Sequence, residues 1–320
     1  MVDVEDRYVE VLTPLPRPRP RQIGASPYGR GMSCLFDGPR GAEVRTGQHA
    51  ENMAVKVRYV MEGNGPAVLL VHGLGASLAV WGENIAPLAE EGRTVYALDL
   101  PGYGKSDKPR ELDYDAVSGA HFLVRFMDTL GIKSATIIGN SAGGIVSAMC
   151  ALIYPHRVER LVLVDAPGLA RPMAWFLRFA SLPLLGELLH IPDVHDPRNM
   201  IKSVFYEPKA VSDDLVDELM HVRNFRGSKM AALRSIRSGT SLWGLRKKML
   251  VLHRLKGFAK PLLVIWGRED RIIPVSHACR AAEVLSPNCT VHIIPYCGHW
   301  PQLERPEEFN LLVLDFLKRE

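Results

Sequence analysis

The stretch Thr136-Ile-Ile-Gly-Asn-Ser-Ala-Gly-Gly-Ile-Val146 decides the fold of this 320-residue chain. A β-branched run stops at a glycine, presents one serine and continues as an apolar helix, which predicts a strand, a sharp turn and a helix. Glycines 139 and 143 flank Ser141 two positions away on either side, and they leave room for the strained turn that exposes a nucleophilic hydroxyl. The alternative, a glycine-rich turn with an idle serine, leaves the strand and the helix unexplained. Ser141 is therefore the predicted nucleophile.

Strand and helix patterns alternate on both sides of this turn. Apolar runs predict strands at 54–61, 67–71, 94–98, 160–164, 261–266 and 290–294. Their alternation with helical patterns predicts the α/β fold class, with a mostly parallel central sheet wrapped by helices, over residues 51–167 and 249–320. Residues 168–248 show helical patterns only, so we expect a helical cap inserted after the strand that ends near Val164. Ligands bind outside the carboxyl ends of parallel strands, which is where such a cap lies.

The first 50 residues differ in composition from the rest of the chain. They hold few apolar runs, and proline alternates with arginine from Pro14 to Arg21, which predicts an extended polyproline stretch. We interpret residues 1–50 as an N-terminal arm, Pro/Arg-rich and flexible. It is either a docking peptide or a tail that lies over the domain.

Composition excludes several classes of function. The 39 basic and 35 acidic residues are interspersed, so no basic stripe predicts nucleic-acid binding. The five cysteines form no Cys-x-x-Cys pair and no metal motif occurs, so we expect no disulfide framework, no metal and no cofactor. No signal peptide or long apolar span is visible, so we expect a cytoplasmic protein without stable membrane insertion. Homo-oligomer formation stays open.

Two further residues complete a catalytic set with Ser141. A serine hydroxyl needs an imidazole to take its proton and a carboxylate to orient that imidazole. Asp270 and His299 each follow one of the last predicted strands and supply both groups. The alternative roles for Asp270 are a salt bridge or a helix cap, and Asp165, after the strand at 160–164, is a rival acid. The predicted triad is Ser141, Asp270 and His299.

The order nucleophile, acid, histidine resembles the α/β-hydrolase superfamily of serine hydrolases over about residues 54–320. His72-Gly-Leu-Gly75 resembles the family's oxyanion turn. The resemblance implies that the backbone N–H groups of Leu74 and Ala142 form the oxyanion hole. It also excludes an aspartate nucleophile, because the residue at the turn is Ser141.

Two groups within the superfamily resemble this chain. Asn140 before the nucleophile, the turn Cys297-Gly-His-Trp300 and Arg223 in the cap resemble the meta-cleavage product hydrolases, which cut a carbon–carbon bond. In that group the arginine holds a substrate carboxylate, and the alternative for Arg223 is a solvent-facing cap residue. The turn His-Gly-Leu-Gly-Ala-Ser instead resembles carboxylesterases, because it lacks the Pro-Gly that the carbon–carbon hydrolases carry.

From the missing Pro-Gly and the shorter loop we expect hydrolysis of a small-molecule carboxylic ester through an acyl-enzyme. The alternatives are a carbon–carbon hydrolase of 2-hydroxy-6-oxo-dienoates and, less well supported, a non-catalytic binding protein of the same fold. Neutral esters are expected to be turned over and dienoates hardly at all. The predicted substrate-binding residues are Asn140, Arg223, Trp300, Trp175, Phe176 and Phe179.

Overall fold

The computed structural model describes residues 5–14, 52–188, 197–285 and 287–319. The polyproline prediction for residues 15–21 lies outside them. The strands are β1 Arg7–Pro14, β2 Asn52–Glu62, β3 Ala67–Val71, β4 Thr94–Leu98, β5 Ala135–Asn140, β6 Val158–Val164, β7 Thr240–Ser241, β8 Gly244–Leu245, β9 Leu262–Gly267 and β10 Cys289–Ile294. The α-helices are α1 Gly82–Glu90, α2 Ala116–Thr129, α3 Ala142–Ile153, α4 Trp175–Ala180, α5 Leu185–Leu188, α6 Pro197–Lys202, α7 Asp213–Arg223, α8 Ser228–Gly239, α9 Leu252–Leu255, α10 Ser276–Leu285, α11 Pro301–Glu304 and α12 Pro306–Lys318.

Eight strands form one sheet in the order β1-β2-β4-β3-β5-β6-β9-β10. The strands from β4 to β10 in this order pair in parallel, whereas β2 pairs antiparallel with both β1 and β4. This arrangement is the mostly parallel central sheet that the sequence predicts. The carboxyl ends of β3, β5, β6 and β9 meet at one edge, which brings the loops that follow them together.

Helices cover both faces of this sheet because successive strand residues point to opposite sides. Ile137 belongs to a buried cluster with residues of α2, α3, α9 and α10, and the next residue, Ile138, belongs to a second cluster with residues of α1 and α12. Every residue of β5 and of β9 is buried. Strands buried on both faces explain the unbroken apolar runs in the sequence.

Strand β1 corrects the prediction for the N-terminus. Arg7–Pro14 pairs with β2 along its whole length, and Val11 is fully buried in the core, while the adjacent Leu12 is exposed. The interpretation of residues 1–50 as an arm outside the sheet is therefore wrong for Arg7–Pro14. Alternation of inward and outward residues over one short strand was the available signal, and it lies directly beside the proline-rich run.

The segment between β6 and β9 lies over the carboxyl edge of the sheet. It contains α4 to α9 and an antiparallel pair, β7 and β8, that the sequence did not predict. Gly244 has a φ of +97°, which a residue with a side chain rarely adopts, and it lets the chain reverse between the two strands. Phe176 and Leu177 of α4 face the sheet edge and close a cavity above Ser141.

Candidate active site

The turn between β5 and α3 holds Ser141 in a strained conformation with φ +53° and ψ −121°. A Cβ atom on Gly139 would lie 2.4 Å from the hydroxyl of Ser147, and one on Gly143 would lie 2.2 Å from the carbonyl oxygen of Val71. Only glycine fits at either position, which explains the spacing around the serine. The turn presents Ser141 to two cavities at the sheet edge.

His299 and Asp270 form a buried pair next to this serine. The Nδ1 atom of His299 lies 2.7 Å from Oδ2 of Asp270. The other carboxylate oxygen of Asp270 accepts hydrogen bonds from the backbone N–H groups of Ile272 and Ile273, at 2.7 and 3.1 Å. These bonds fix the carboxylate, so that Nδ1–H donates to it and Nε2 is left to accept a proton. His299 and Ser141 line the same cavity.

Asp165 lies beneath this pair and was the rival acid. It is fully buried with a φ of +45°, and Oδ1 accepts a hydrogen bond of 3.0 Å from the N–H of Gly267. One side-chain ligand atom from each of Asp165, Asp270 and His299 lies within 4.8 Å of the others. Burial, and then the adjacent Asp270 carboxylate, raise the pKa of Asp165 well above its usual value. The raised pKa favours the protonated form of Asp165, whose carboxyl group lies close to that of Asp270.

The predicted oxyanion donors point into the smaller cavity. Leu74 and Ala142 both line it, and neither backbone N–H has a hydrogen-bond partner among the described residues. His72 fixes the turn that carries Leu74, because Nδ1 bonds the carbonyl oxygen of Gly73 and Nε2 accepts from the N–H of Leu100, at 2.8 and 3.0 Å. Burial lowers the pKa of His72, so its ring is neutral and supports the turn through these two hydrogen bonds.

Glu304, which was not among the predicted site residues, supports the histidine turn. Its carboxylate accepts hydrogen bonds from the backbone N–H groups of Gly298, Trp300 and Tyr206, at 3.0, 3.2 and 2.7 Å. Tyr206 belongs to the cap segment. Burial raises the pKa of Glu304 although these three donors oppose the shift. An acidic residue five positions after a catalytic histidine is a weak signal, since its contact with the cap depends on the tertiary fold.

The cap segment also touches the histidine turn directly. The backbone N–H of His299 donates to the carbonyl oxygen of Val204 at 2.9 Å. The ring of Phe205 meets that of Trp300 edge-on, with 5.1 Å between centroids. Residues 204–206 are thus bonded to the loop that carries His299, the predicted base.

Asn140 does not contact the substrate space, which corrects its predicted role. It is fully buried, lines neither cavity, and its Nδ2 donates to the carbonyl oxygens of Val164 and His299, at 3.3 and 3.2 Å. The side chain of a strand residue points opposite to that of its neighbour, so Asn140 turns away when Ser141 faces the cavity. It ties β5 and β6 to the histidine turn.

Two cavities meet at Ser141. The larger one, of 890 Å³, extends beneath α4, α7 and α8 and includes His299, Trp300 and Arg223. The smaller one, of 450 Å³, extends towards α2 and ends at Thr13 and Pro14 of β1. A substrate that places its reacting carbon at Ser141 has room for one group on each side.

Arg223 is the predicted cap residue that the structure brings closest to the oxyanion turn. Its guanidinium lies 3.7 Å from the position that a Cβ atom on Gly75 would occupy. It has no acidic partner and no hydrogen bond among the described residues. Burial lowers its pKa from a very high value, so it remains a cation.

The aromatic residues of α4 separate into two groups. Phe176 is half-buried and lines the larger cavity, and Trp175 lines it at the rim while 62% of its surface is exposed. Phe179 lines neither cavity and faces solvent, so its predicted substrate contact is wrong. Phe179 lies one helical turn after Trp175, on the outward face of α4.

Comparison with known proteins identifies the family. Residues 66–306 match the family described as alpha/beta hydrolase fold. The chain belongs to the α/β hydrolase fold family. This α/β hydrolase is 31% identical over 266 residues, 80% of its own chain and 88% of the relative, to a 2-hydroxy-6-oxononadienedioate/2-hydroxy-6-oxononatrienedioate hydrolase of Comamonas testosteroni. A 2-hydroxy-6-oxo-6-phenylhexa-2,4-dienoate hydrolase of the same species is 30% identical over 268 residues, 82% of this chain and 91% of the relative.

A solved structure agrees with these relatives. The meta-cleavage product hydrolase of Pseudomonas fluorescens IP01, in complex with acetates, superposes with a TM-score of 0.68 at 28% identity, covering 82% of this α/β hydrolase and 94% of that chain. The expectation of ester hydrolysis is wrong on these comparisons, which favour the carbon–carbon hydrolase. The nucleophile turn, the histidine turn and the cap arginine agree with these relatives, although one loop lacks the Pro-Gly.

Proposed function

We propose that this α/β hydrolase cleaves the carbon–carbon bond of 2-hydroxy-6-oxo-dienoates, the substrates named for its relatives. The observation that carries the proposal is the unpaired guanidinium of Arg223 in the cavity shared by Ser141 and His299. A partly desolvated cation without a protein counter-ion is unfavourable, and a substrate carboxylate offsets that cost with charge-assisted hydrogen bonds. These substrates carry such a carboxylate at carbon 1.

The two cavities match the two halves of the substrate. With the carboxylate at Arg223, the dienoate chain extends through the larger cavity, and the carbon 6 carbonyl reaches Ser141. The acyl substituent beyond carbon 6 then enters the smaller cavity. The bond between carbons 5 and 6, which is the one to be broken, lies where the cavities meet.

The residues of the site supply the steps of this hydrolysis. The dienol first becomes its keto tautomer, as the carbon 2 hydroxyl loses its proton and carbon 5 gains one. Ser141 then attacks carbon 6 as His299 accepts its proton, and the N–H groups of Leu74 and Ala142 stabilise the oxyanion. Breaking the bond between carbons 5 and 6 leaves an electron pair that is delocalised onto the carbon 2 oxygen. After protonation this fragment is 2-hydroxypenta-2,4-dienoate, and water releases the acyl group as a carboxylic acid.

The test removes either the positive charge of Arg223 or the negative charge of the substrate carboxylate. Arg223→Gln should lower kcat/KM for 2-hydroxy-6-oxo-6-phenylhexa-2,4-dienoate by about thirtyfold, about 2 kcal/mol, since a charge-assisted contact is lost. The carbon 1 methyl ester of the same dienoate lacks the anion, so it should be a poor substrate that Arg223→Gln affects little. The loss of dienoate absorbance measures the rates of wild-type protein and of Arg223→Gln on both the dienoate and its methyl ester.

Arg226→Gln is the matched control. Arg226 is an exposed arginine at the rim of the same cavity, and its replacement tests whether positive potential alone accounts for the effect. We expect less than a threefold change. Wild-type protein that does not turn over the dienoate, or that prefers its methyl ester, contradicts the proposal.

A further inference from the structure

Large apolar side chains are exposed on one part of the cap. Among the eleven that are exposed in the described residues, six lie in two short stretches, 175–188 and 243, and the other five are spread over β1, α2, α12 and the loop after β10. Trp243 and Leu184 are 78% and 82% exposed. We call these six residues the cap patch: Trp175, Phe179, Leu184, Leu185, Leu188 and Trp243. Clustered apolar exposure marks an interaction surface more often than scattered exposure does.

The elements of the cap patch are bonded to one another. Trp175 and Phe179 are in ring contact, with 6.0 Å between centroids. The Nε atom of Arg178, between them on α4, donates to the carbonyl oxygen of Leu242 at 2.6 Å, which holds the β7–β8 turn and Trp243 beside α4. Leu184 precedes α5 with a φ of +68°, a conformation that an L-residue rarely adopts. The turn is strained and still leaves this leucine in solvent.

The chain segments that carry the cap patch hold mostly positive charge. Residues 168–188 and 228–256 contain ten lysines and arginines and one acidic residue, Glu187, which pairs with Arg237. Arg171, Lys247 and Lys248 are exposed and have no acidic partner or side-chain hydrogen bond in the described part of the chain. Arg171 lies beside the β7–β8 pair, because its carbonyl oxygen accepts from the N–H of Leu245 at 3.0 Å.

Exposed apolar side chains beside exposed cations favour an anionic lipid surface as the partner of the cap patch. Tryptophan, phenylalanine and leucine beside unpaired lysine and arginine are what an anionic lipid surface binds, because the rings enter the interface and the cations meet the headgroups. A second copy of the chain would bring the same cations against one another across a two-fold contact, which opposes association. No described helix is long and apolar enough to cross a bilayer.

We propose that the cap patch, with Arg171, Lys247 and Lys248, docks this α/β hydrolase on the surface of an anionic lipid bilayer. Trp175 belongs to the patch and also lines the rim of the larger cavity. Docking therefore brings the cavity entrance to the lipid surface, where apolar substrates concentrate. The surface is separate from the catalytic residues, so this proposal does not depend on the reaction proposed above.

Co-sedimentation with vesicles tests the docking. We expect the wild-type protein to bind vesicles that contain phosphatidylglycerol, to bind vesicles of phosphatidylcholine alone much more weakly, and to dissociate as salt is raised. Phe179→Ser with Trp243→Ser removes apolar contacts, and Lys247→Ser with Lys248→Ser removes charge. Each pair should lower the partition coefficient about tenfold or more. Leu311→Ser, on the exposed face of α12, is the matched control and should leave binding unchanged.

Three results overturn the docking proposal. One is the absence of binding to phosphatidylglycerol vesicles by wild-type protein. Another is an equal loss of binding in the Leu311→Ser control. The third is a concentration-dependent oligomer, measured by light scattering, that Phe179→Ser with Trp243→Ser abolishes, since that result assigns the patch to a second copy of the chain. An unchanged circular dichroism spectrum and melting temperature of the Phe179→Ser and Trp243→Ser protein show that it is folded.

Discussion

The carboxyl groups of Asp165 and Asp270 lie close together beside His299, with one ligand atom of each of the three side chains within 4.8 Å of the others, and Asp270 bonds Nδ1 of His299. The two aspartates follow neighbouring parallel strands, β6 and β9, so the pairing of these strands brings them together. Asp270 accepts hydrogen bonds from His299 and from two backbone N–H groups. Asp165 is a positioning residue that acts through Asp270.

Substitutions at Asp165 should separate the shape of its side chain from its hydrogen bond. Asp165→Asn keeps a donor towards Asp270 and an acceptor for Gly267, so kcat should fall less than threefold. Asp165→Ala removes both and should lower kcat about tenfold, with KM nearly unchanged. Asp270→Asn should lower kcat by about four orders of magnitude, because the imidazole loses the partner that fixes its tautomer. If Asp165→Asn is as damaging as Asp270→Asn, the roles assigned to the two acids are reversed.

The pKa of Asp165 also predicts how stability depends on pH. An unfolded aspartate titrates near 3.9, whereas the folded protein keeps this proton to a higher pH. Between the two pKa values the folded state binds more protons, so this group lowers the free energy of unfolding as pH rises. The asparagine of Asp165→Asn does not titrate, so the variant lacks this pH dependence. The variant should gain stability relative to wild type as the pH is raised above about 4, which thermal unfolding at several pH values measures.

The smaller cavity predicts which acyl substituent is accepted. Among the described residues that line it, none is lysine or arginine, and Asp113 and Asp115 are both present. A second substrate carboxylate would be unpaired there and close to like charge. We expect kcat/KM for 2-hydroxy-6-oxo-6-phenylhexa-2,4-dienoate to exceed that for 2-hydroxy-6-oxononadienedioate by about tenfold or more, about 1.4 kcal/mol.

A lysine in this cavity should change that preference. Ser238→Lys places a cation on the cavity wall and should raise the relative rate of the dioate, whereas Ser238→Gln, of similar length and neutral, should not. Faster turnover of the dioate by wild-type protein would contradict the prediction for the smaller cavity and leave carbon–carbon hydrolysis intact.

Strand β1 should contribute to stability. Val11→Asp places a charge in the fully buried core, and we expect it to lower the free energy of unfolding by about 3 kcal/mol or more. Leu12→Asp, the next residue, points to solvent and should change stability by less than about 0.5 kcal/mol. Urea unfolding of both variants measures the difference, and equal effects would show that β1 is not part of the sheet in solution.

The sequence predicted the features that depend on local pattern. The nucleophile turn requires glycines at fixed positions, and parallel strands require unbroken apolar runs, so Ser141 and the strands β3, β5, β6 and β9 could be predicted from residue spacing. Asp270 and His299 were found because catalytic residues follow strand ends. Each of these features depends on residues that lie only a few positions apart in the sequence.

The features that depend on packing between distant segments could not be predicted. The proton on Asp165 depends on the approach of two strand ends, and the unpaired state of Arg223 depends on where the cap places α7. Phe176 and Phe179 are residues of the same type, three positions apart. Only the contact of α4 with the core places Phe176 at the cavity and Phe179 in solvent. The choice between ester and carbon–carbon cleavage was likewise wrong when it rested on one loop.

The bonds between residues 204–206 and the histidine turn couple access to reactivity. The N–H of His299 and the carboxylate of Glu304 both hold this part of the cap. If this part of the cap lifts to admit a substrate, those bonds break and the imidazole loses its placement. With the proposed roles of Ser141 and His299, the protein is then either open or reactive, but not both at once, and a partly bound substrate meets a serine without its base.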